Sequence, residues 1–301
     1  MACFGDRVIE RMRELRHPLC VGLDPYLDSV PPPFRRGAMA PQQPDTAQAV
    51  EEFCCRTIDL IAADVAIVKL QVALFECLGW HGWRVLERVI RYARAAGLLV
   101  LLDAKRGDIA ETASAYAHAY LARDAPCSVD ALTVNPYLGP ASLEPFLVVA
   151  EQADRGVIVL VRNSNLDSSV YQAVETPAGP FFTVVAASLA RWQERLARGT
   201  TGWSSLGVTV AATHAEDTEQ IRMALPHVLF LVLGYGAQGA SAREAVRGFR
   251  RGPAGLEGGI VNSSRPILFP TTASDAGARA WEQGVRSALA RATNELGEVV
   301  A

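Results

Sequence analysis

Eight short apolar runs, separated by longer amphipathic stretches, constrain the fold of this chain more than any other feature. Each run is apolar at consecutive positions, which is typical of strands that are buried on both faces. The stretches between the runs have the apolar periodicity of helices. The predicted strands are residues 19–23, 65–70, 98–102, 131–134, 157–161, 206–210, 228–233 and 259–261.

Strand and helix therefore alternate eight times, which is the count of a (β/α)8 TIM barrel. A doubly wound sheet also alternates, and strand order cannot be read from one sequence, but the eightfold count favours the barrel. We predict one α/β domain over residues 1–301, with an extra N-terminal helix at 6–16 and a proline-rich loop at 25–44 over the carboxyl end of the barrel. The other predicted helices are 46–63, 82–96, 109–123, 142–152, 181–198, 216–224, 242–249 and 276–295.

Composition excludes several functional classes. Lys and Arg number 29 against 32 Asp and Glu, a net charge of −3, whereas a nucleic-acid binder normally has a basic excess. Six cysteines without a CxxC pair predict free thiols in a reducing cytosol.

Charges at Asp6, Arg7 and Glu10 argue against a signal peptide. The uncharged stretch 223–242 contains Pro226 and three glycines, so it predicts a buried strand rather than a membrane span. We expect a cytoplasmic protein that binds neither membrane nor nucleic acid.

In such a barrel the chemistry collects at the carboxyl ends of the strands. Nearly every predicted strand ends in a polar side chain of chemical use. These residues are Asp24, Lys69, Asp103, Lys105, Asn135, Ser164, Thr213, Gln238, Ser264 and Arg265.

The densest charged cluster lies in residues 101–109 (LLDAKRGDI). Asp103 and Lys105 are two apart on a predicted extended strand, so both side chains should point to the same side, into a pocket at the barrel mouth. Lys69 ends the preceding strand and should stand beside them. Opposite charges that lie close together stabilise each other's ionised forms. A charged pair directly after buried apolar residues indicates a functional site.

Simpler interpretations exist for single members of this set. Asp108 begins a capping-box pattern (DIAE), so taken alone it indicates a helix N-cap. Lys69 alone is equally compatible with a surface lysine at a strand end. Asp24, Thr112 and Ser164 are residue types that often make local turn or cap hydrogen bonds.

Residues 103–109 (DAKRGDI) resemble the signature of the orotidine 5′-phosphate decarboxylase family, in its longer bacterial branch. Five further segments resemble family motifs in the same order and extend the likeness over residues 20–265. They are 20–25 (CVGLDP), 68–73 (VKLQVA), 134–139 (VNPYLG), 234–239 (GYGAQG) and 261–265 (VNSSR).

The resemblance implies a Lys-Asp-Lys-Asp array against the reacting carbon, formed by Lys69, Asp103, Lys105 and Asp108. It implies loss of CO2 from C6 of orotidine 5′-phosphate, giving uridine 5′-phosphate in pyrimidine synthesis, without cofactor or metal. Lys105 would stabilise the C6 carbanion and protonate it. The family's last aspartate comes from the partner subunit, so a homodimer is implied in which Asp108, Ile109 and Thr112 complete the neighbouring site.

The resemblance also assigns ligand contacts. Asp24 and Thr112 match ribose-binding positions, and Ser164 matches a pyrimidine contact. Gln238 and Arg265 match phosphate-binding positions, in agreement with the frequent phosphate site after strands seven and eight of such barrels. Three positions depart from the family pattern: Leu70 and Leu233 replace prolines, and Pro266 replaces a glycine and removes one backbone donor.

Three other functions compete with this interpretation. Residues 234–239 fit the dinucleotide-binding pattern GxGxxG. That pattern belongs in the first βα turn of a dinucleotide-binding fold, whereas here it follows the seventh predicted strand, so we reject an oxidoreductase. Metal-dependent sugar-phosphate relatives place a metal-binding glutamate where Lys69 stands, and an ammonium would repel Mg²⁺. A nucleotide-binding barrel without catalysis stays open, although charges at all four array positions argue against it.

Overall fold

The predicted barrel is confirmed by a computed structural model that describes residues 2–196, 199–270 and 277–301. Eight parallel strands pair in chain order, and the last pairs with the first to close the barrel. This sequential order distinguishes the barrel from a doubly wound sheet, whose strand order reverses. The strands are β1 (Leu19–Leu23), β2 (Ile67–Gln71), β3 (Leu99–Arg106), β4 (Ala131–Val134), β5 (Gly156–Val159), β6 (Leu206–Ala211), β7 (Leu229–Leu233) and β8 (Gly259–Ser263).

Long helices surround the barrel as predicted, with shifted ends. They are α1 (Phe4–Leu15), α2 (Pro44–Ile61), α3 (Gly79–Ala95), α4 (Ala110–Leu121), α5 (Glu144–Ala153), α6 (Phe181–Gln193), α7 (Ala215–Ala224) and α8 (Ala278–Val300). The predicted helix end at 198 and helix start at 276 lie outside the described residues. Helix α8 continues past the predicted residue 295 because Leu296 and Val300 extend its buried face.

The predicted helix 242–249 is wrong in length, since only Ala242–Ala245 is helical. Gly248 follows, and a side chain there would collide with Phe230, whose Cε2 lies 2.6 Å from the position of an added Cβ. The chain then forms a two-stranded antiparallel hairpin, Arg250–Gly252 with Gly255–Glu257. A second such hairpin, Glu175–Thr176 with Gly179–Pro180, lies in the loop between β5 and α6.

The proline-rich loop after β1 contains two short 3-10 helices, Leu27–Ser29 and Pro32–Phe34. The ring of Phe34 packs edge-on against Phe53 of α2 and Trp281 of α8, with centroid distances of 5.6 and 4.9 Å. Aromatic pairs in this geometry stabilise beyond the area they bury. The loop is thereby attached to the helices that flank β1.

Helix α1 closes the amino-terminal end of the barrel. Phe4 is fully buried, and its ring lies against Gly156, where an added Cβ would be 2.4 Å from Phe4 Cδ1. Phe4 and Ile9 belong to one apolar cluster with Ile67 and Leu101 of the barrel interior. The polar residues that follow the strands lie at the opposite, carboxyl end of the barrel.

A buried arginine ties α7 to the segments beside it. The Arg222 guanidinium has no carboxylate partner among the described residues and stacks on the ring of Phe230, 3.6 Å from its centroid. It donates instead to backbone carbonyls, an arrangement that satisfies its fixed fork of donors. The acceptors are the carbonyls of Leu225, Pro226, Val228, Gly248 and Gly258.

All six cysteines are free thiols, as the sequence predicted. Among the described residues, the model contains no helix of the length and apolarity needed to cross a membrane.

Candidate active site

Strands β1, β2 and β3 bring three charged side chains together at their carboxyl ends. In the pairing register Gly22 lies beside Lys69, and Gln71 lies beside Asp103. Lys69 Nζ lies 3.3 Å from Asp24 Oδ1 and 3.5 Å from Asp103 Oδ2. The Lys69 side chain is only 2% exposed, so its surface-lysine interpretation is wrong.

In this cluster burial and neighbouring opposite charges shift the pKa values in opposite directions, and the combined effect of the opposite charges is larger. Burial alone would lower the pKa of Lys69, but the carboxylates of Asp24 and Asp103 raise it above its ordinary value. Burial alone would raise the pKa of Asp103, but Lys69 and Lys105 hold it below its ordinary value. At neutral pH the Lys69 ammonium and the Asp103 carboxylate are therefore both ionised.

The two lysines differ in accessibility. Lys105 Nζ lies 2.6 Å from Asp103 Oδ1, and its side chain is 36% exposed, against 2% for Lys69. Lys69 is therefore a buried cation between two carboxylates, whereas the Lys105 side chain is partly exposed to solvent.

The predicted contact of Asp103 with Lys105 is present, but the strand geometry assumed for it is wrong. Lys105 has φ 47°, a left-handed conformation that non-glycine residues seldom adopt. The register of β3 against β4 shifts between Leu102 and Arg106. The two side chains meet because β3 bulges at this point and not because an extended strand alternates regularly.

Two neighbours of Asp103 were missed in the sequence. Thr133 of β4 donates to Asp103 Oδ1 at 3.0 Å, and Gln71 Nε2 donates to Asp103 Oδ2 at 3.1 Å. A threonine inside a fully buried strand was a usable signal, because a buried hydroxyl requires hydrogen-bond partners. Gln71 follows Lys69 by two positions on β2 and so shares its face.

Asp108, Ile109 and Thr112 do not join this cluster. Asp108 Oδ1 accepts the Ile109 N–H at 2.7 Å, and within the described residues it makes no contact with either lysine. The N-cap interpretation of Asp108 is wrong, since the N-cap of α4 is Ile109 and no side chain caps that helix. Ile109 and Thr112 are exposed.

Ser164 and Gln238 meet at Gly234, which follows β7. An added Cβ at Gly234 would lie 3.0 Å from Gln238 Oε1 and 3.4 Å from Ser164 Cβ, so a side chain here would crowd the Gln238 amide. Gly234 has φ 94°, which also favours glycine. The N–H groups of Gly236 and Gly239 are used within the loop, donating to Ala240 and Gly236 carbonyls, so not every glycine offers a donor to a ligand.

Arg265 begins a short helix, Arg265–Leu268, directly after β8, with Pro266 in its first turn. Its side chain is exposed and makes no hydrogen bond or ion pair with the part of the chain that is described. The preceding Ser264 packs against Gly22 of β1, where an added Cβ would lie 1.9 Å from Ser264 Oγ. The Arg265 guanidinium is thus exposed where β8 ends, at the carboxyl end of the barrel.

Arg162, another residue missed in the sequence, holds the loop that carries Ser164. Its side chain is 2% exposed, and its Nε donates to Asp217 Oδ2 at 2.8 Å. The other guanidinium nitrogens donate to Ser168 Oγ at 2.7 Å and Ser169 Oγ at 3.0 Å.

Within the described residues, no group of three or more His, Cys, Asp and Glu side chains is arranged to hold a metal ion.

This fold and site define the class of (β/α)8-barrel enzymes whose active site is built at the carboxyl ends of the strands. Comparison with known proteins narrows the class. The sequence model of the "orotidine 5′-phosphate decarboxylase / HUMPS family" matches residues 17–280. The chain belongs to this family.

Two curated relatives and one solved structure illustrate the similarity. An orotidine 5′-phosphate decarboxylase of Rhodopirellula baltica is 38% identical over 283 residues, which cover 93% of this chain and 92% of the relative. One from Clostridium novyi is 33% identical and covers 99% of both chains. The structure of Leishmania donovani OMP decarboxylase is 30% identical, with a TM-score of 0.76 over 99% of this chain and 98% of the other.

Proposed function

We propose that this chain decarboxylates orotidine 5′-phosphate to uridine 5′-phosphate and CO2 without a cofactor. The observation that carries the proposal is the buried Lys69 between Asp24 and Asp103, with Lys105 ion-paired to the same Asp103. The named relatives at 33–38% identity have this activity in their names. Lys69 also occupies the position at which the metal-dependent sugar-phosphate relatives would need a glutamate.

In the proposed reaction the bond between C6 and the carboxylate carbon breaks, and its electron pair stays on C6 while CO2 leaves. The Lys105 ammonium stabilises this pair and then donates a proton to C6, leaving a neutral amine that solvent reprotonates. Asp103 and Lys69 hold that ammonium in position before the charge develops, which is electrostatic preorganisation. Asp103 would face the departing carboxylate.

The remaining substrate contacts are those that the resemblance to the family implies. Asp24 and Thr112 are proposed for the ribose hydroxyls, and Ser164 is proposed for the pyrimidine. Gln238 and Arg265 are proposed for the phosphate, in support of which the Arg265 guanidinium is exposed at the rim and can bind phosphate through two nitrogens. Binding energy from this unreactive group can serve the transition state.

The proposal includes a homodimer in which Asp108, Ile109 and Thr112 enter the partner's site. In support, Asp108 makes no hydrogen bond or ion pair with Lys69 or Lys105 within the described residues, and its carboxylate accepts the Ile109 N–H instead. Ile109 is 68% exposed, and Tyr137 and Leu138 on the next loop are 83% and 56% exposed. Large apolar side chains exposed together favour a protein interface.

The reaction is tested by the loss of orotidine 5′-phosphate absorbance after adding EDTA-treated protein, with Lys105→Ala as the control. Loss with equal amounts of uridine 5′-phosphate and CO2 supports the proposal. Tight binding of uridine 5′-phosphate without turnover would instead identify a nucleotide-binding barrel. Neither binding nor turnover would direct the next assay to metal-dependent sugar-phosphate chemistry.

The shared site is tested by mixing two inactive variants, Lys105→Ala and Asp108→Ala, under conditions where subunits exchange. In a twofold dimer each hybrid has one intact site and one doubly altered site, so about a quarter of wild-type activity should return. No recovery in a mixture shown to contain hybrids would contradict the two-chain site.

A further inference from the structure

The pairing of β3 with β4 is mismatched beside Asp103 and Lys105. Leu102 pairs with Leu132 and Arg106 pairs with Val134, so residues 103–105 of β3 face the single residue 133 of β4. A regular parallel ladder pairs backbone groups evenly, and a bulge leaves extra ones without a strand partner.

The Thr133 hydroxyl takes the place of the missing backbone acceptors. The N–H groups of Ala104 and Lys105 both donate to Thr133 Oγ1, each at 2.9 Å. A hydroxyl has one hydrogen to donate and two lone pairs, and these two N–H groups occupy both lone pairs. Its hydrogen is therefore left for its third neighbour, Asp103 Oδ1, at 3.0 Å.

We propose that Thr133 is a positioning residue that fixes the Asp103 carboxylate and the Lys105 backbone as one unit. This inference rests on the proposed decarboxylase function. Thr133 is fully buried, so water does not compete for its bonds. Lys105 has φ 47°, a conformation that persists in a non-glycine residue only where its surroundings hold it.

The consequence is that one hydroxyl sets the location of two charges. The Lys105 ammonium lies 2.6 Å from the same Asp103 Oδ1 that accepts from Thr133. Replacing Thr133 by valine keeps the side-chain shape, leaves the buried Ala104 N–H and the partly buried Lys105 N–H without this acceptor, and removes a donor from Asp103. Misplacement of reacting groups by about 1 Å can reduce the rate about 100-fold.

The hydroxyl should also influence the ionisation of Asp103. The groups facing this carboxylate come from three strands: Lys69 and Gln71 from β2, Lys105 from β3 and Thr133 from β4. Asp24, which follows β1, lies on the other side of Lys69. Loss of a donor to the ionised form favours the protonated form. The acid limb of kcat/KM should therefore move up by about one pH unit, which corresponds to one lost charge-assisted hydrogen bond.

The experiment compares Thr133→Val, Thr133→Ser and Thr209→Val. Thr209 is a matched control, because this buried threonine of β6 also bridges neighbouring strands, accepting the Val161 N–H at 3.1 Å and donating to the Arg162 carbonyl at 3.3 Å. Within the described part of the chain, the Thr209 hydroxyl makes no hydrogen bond to Asp103. For each variant we would measure kcat and KM against pH, the Tm, and the pKa of the Asp103 carboxyl by 13C NMR.

Thr133→Val should lower kcat about 10- to 100-fold with a smaller change in KM, and should raise the acid limb and the Asp103 pKa together. Thr133→Ser should behave as wild type, and Thr209→Val should lose stability without moving the Asp103 pKa. A folded Thr133→Val with wild-type kcat and acid limb would overturn the proposal.

If Thr133→Val does not fold, a folded Thr133→Ser with a displaced Asp103 pKa would overturn the proposal equally, since the serine keeps the hydroxyl. If the wild-type protein does not turn over orotidine 5′-phosphate, the proposed function fails. The NMR comparison then still decides whether Thr133 fixes Asp103.

Discussion

Replacing Lys69 by methionine should lower the free energy of unfolding, and the two ion-pair distances of Lys69 allow the loss to be calculated. The change keeps the apolar stem and removes the charge between Asp24 Oδ1 at 3.3 Å and Asp103 Oδ2 at 3.5 Å. At an effective dielectric constant of about 20, each lost attraction is about 5 kcal/mol before desolvation is considered. Removing one partner of a buried ion pair costs about 3–5 kcal/mol net.

The Tm shift follows from the unfolding entropy, about 2.1 cal/mol/K per residue. Over 301 residues this is about 0.6 kcal/mol/K, so the Tm of Lys69→Met should fall by about 5–8 °C. The matched control is Arg11→Met, which removes a cation from an ion pair with Glu14 whose side chains are 44% and 65% exposed. Exposed pairs of this kind contribute little, so its Tm should change by less than about 1 °C.

The deficit of Lys69→Met should depend on pH with a defined sign. The pKa of Asp103 in the folded protein lies below its unfolded value of about 3.9. Its stabilising contribution is therefore present above that value and is lost as the pH falls through the folded pKa. The Tm gap to wild type should be full at pH 7 and smaller near pH 3, measured by calorimetry. Equal Tm values at pH 7, or a gap that widens toward pH 3, would refute this reasoning.

Three other substitutions test separate parts of the molecule. Lys105→Ala should reduce turnover at least about 1000-fold while uridine 5′-phosphate still binds, measured by calorimetric titration; near-normal turnover would contradict its role as proton donor. Arg265→Ala should weaken uridine 5′-phosphate binding about 10- to 100-fold but leave uridine binding unchanged, and an equal loss for both ligands would count against a phosphate contact. Arg222→Met should cost at least about 3 kcal/mol in urea unfolding, because several buried carbonyls lose their donor, and an unchanged midpoint would show that they find other partners.

Much of the fold could be predicted because each barrel strand is a short, continuous apolar run that is visible in the local sequence. Each of the eight apolar runs became a strand, and the count of alternations separated a barrel from most other α/β folds. Helix ends were less predictable, as the segment 242–249 illustrates. There the helix stops after Ala245, and Gly248 lies against Phe230 of the distant strand β7, a contact that the local sequence does not reveal.

Some contacts of the candidate site could likewise be read from the sequence, and others could not. Asp103 and Lys105 are two residues apart, so their contact was readable from the motif, whereas the bulge that produces it depends on the partner strand β4. Thr133 and Gln71 were missed because their hydrogen bonds cross between strands. Asp24 was expected to bind ribose, and its ion pair with Lys69 was not foreseen.

The positions of the strands, the location of the charged residues and the family resemblance could all be read from the amino-acid order, because they depend on local pattern and residue identity. Which charged groups contact one another depends on how the strands pair in three dimensions. Lys69 and Asp24 are 45 positions apart and meet because β1 and β2 pair in one particular register. Closure of the barrel then buries that pair beside Asp103, and burial in a medium of low dielectric constant makes each ionised group depend on its neighbours.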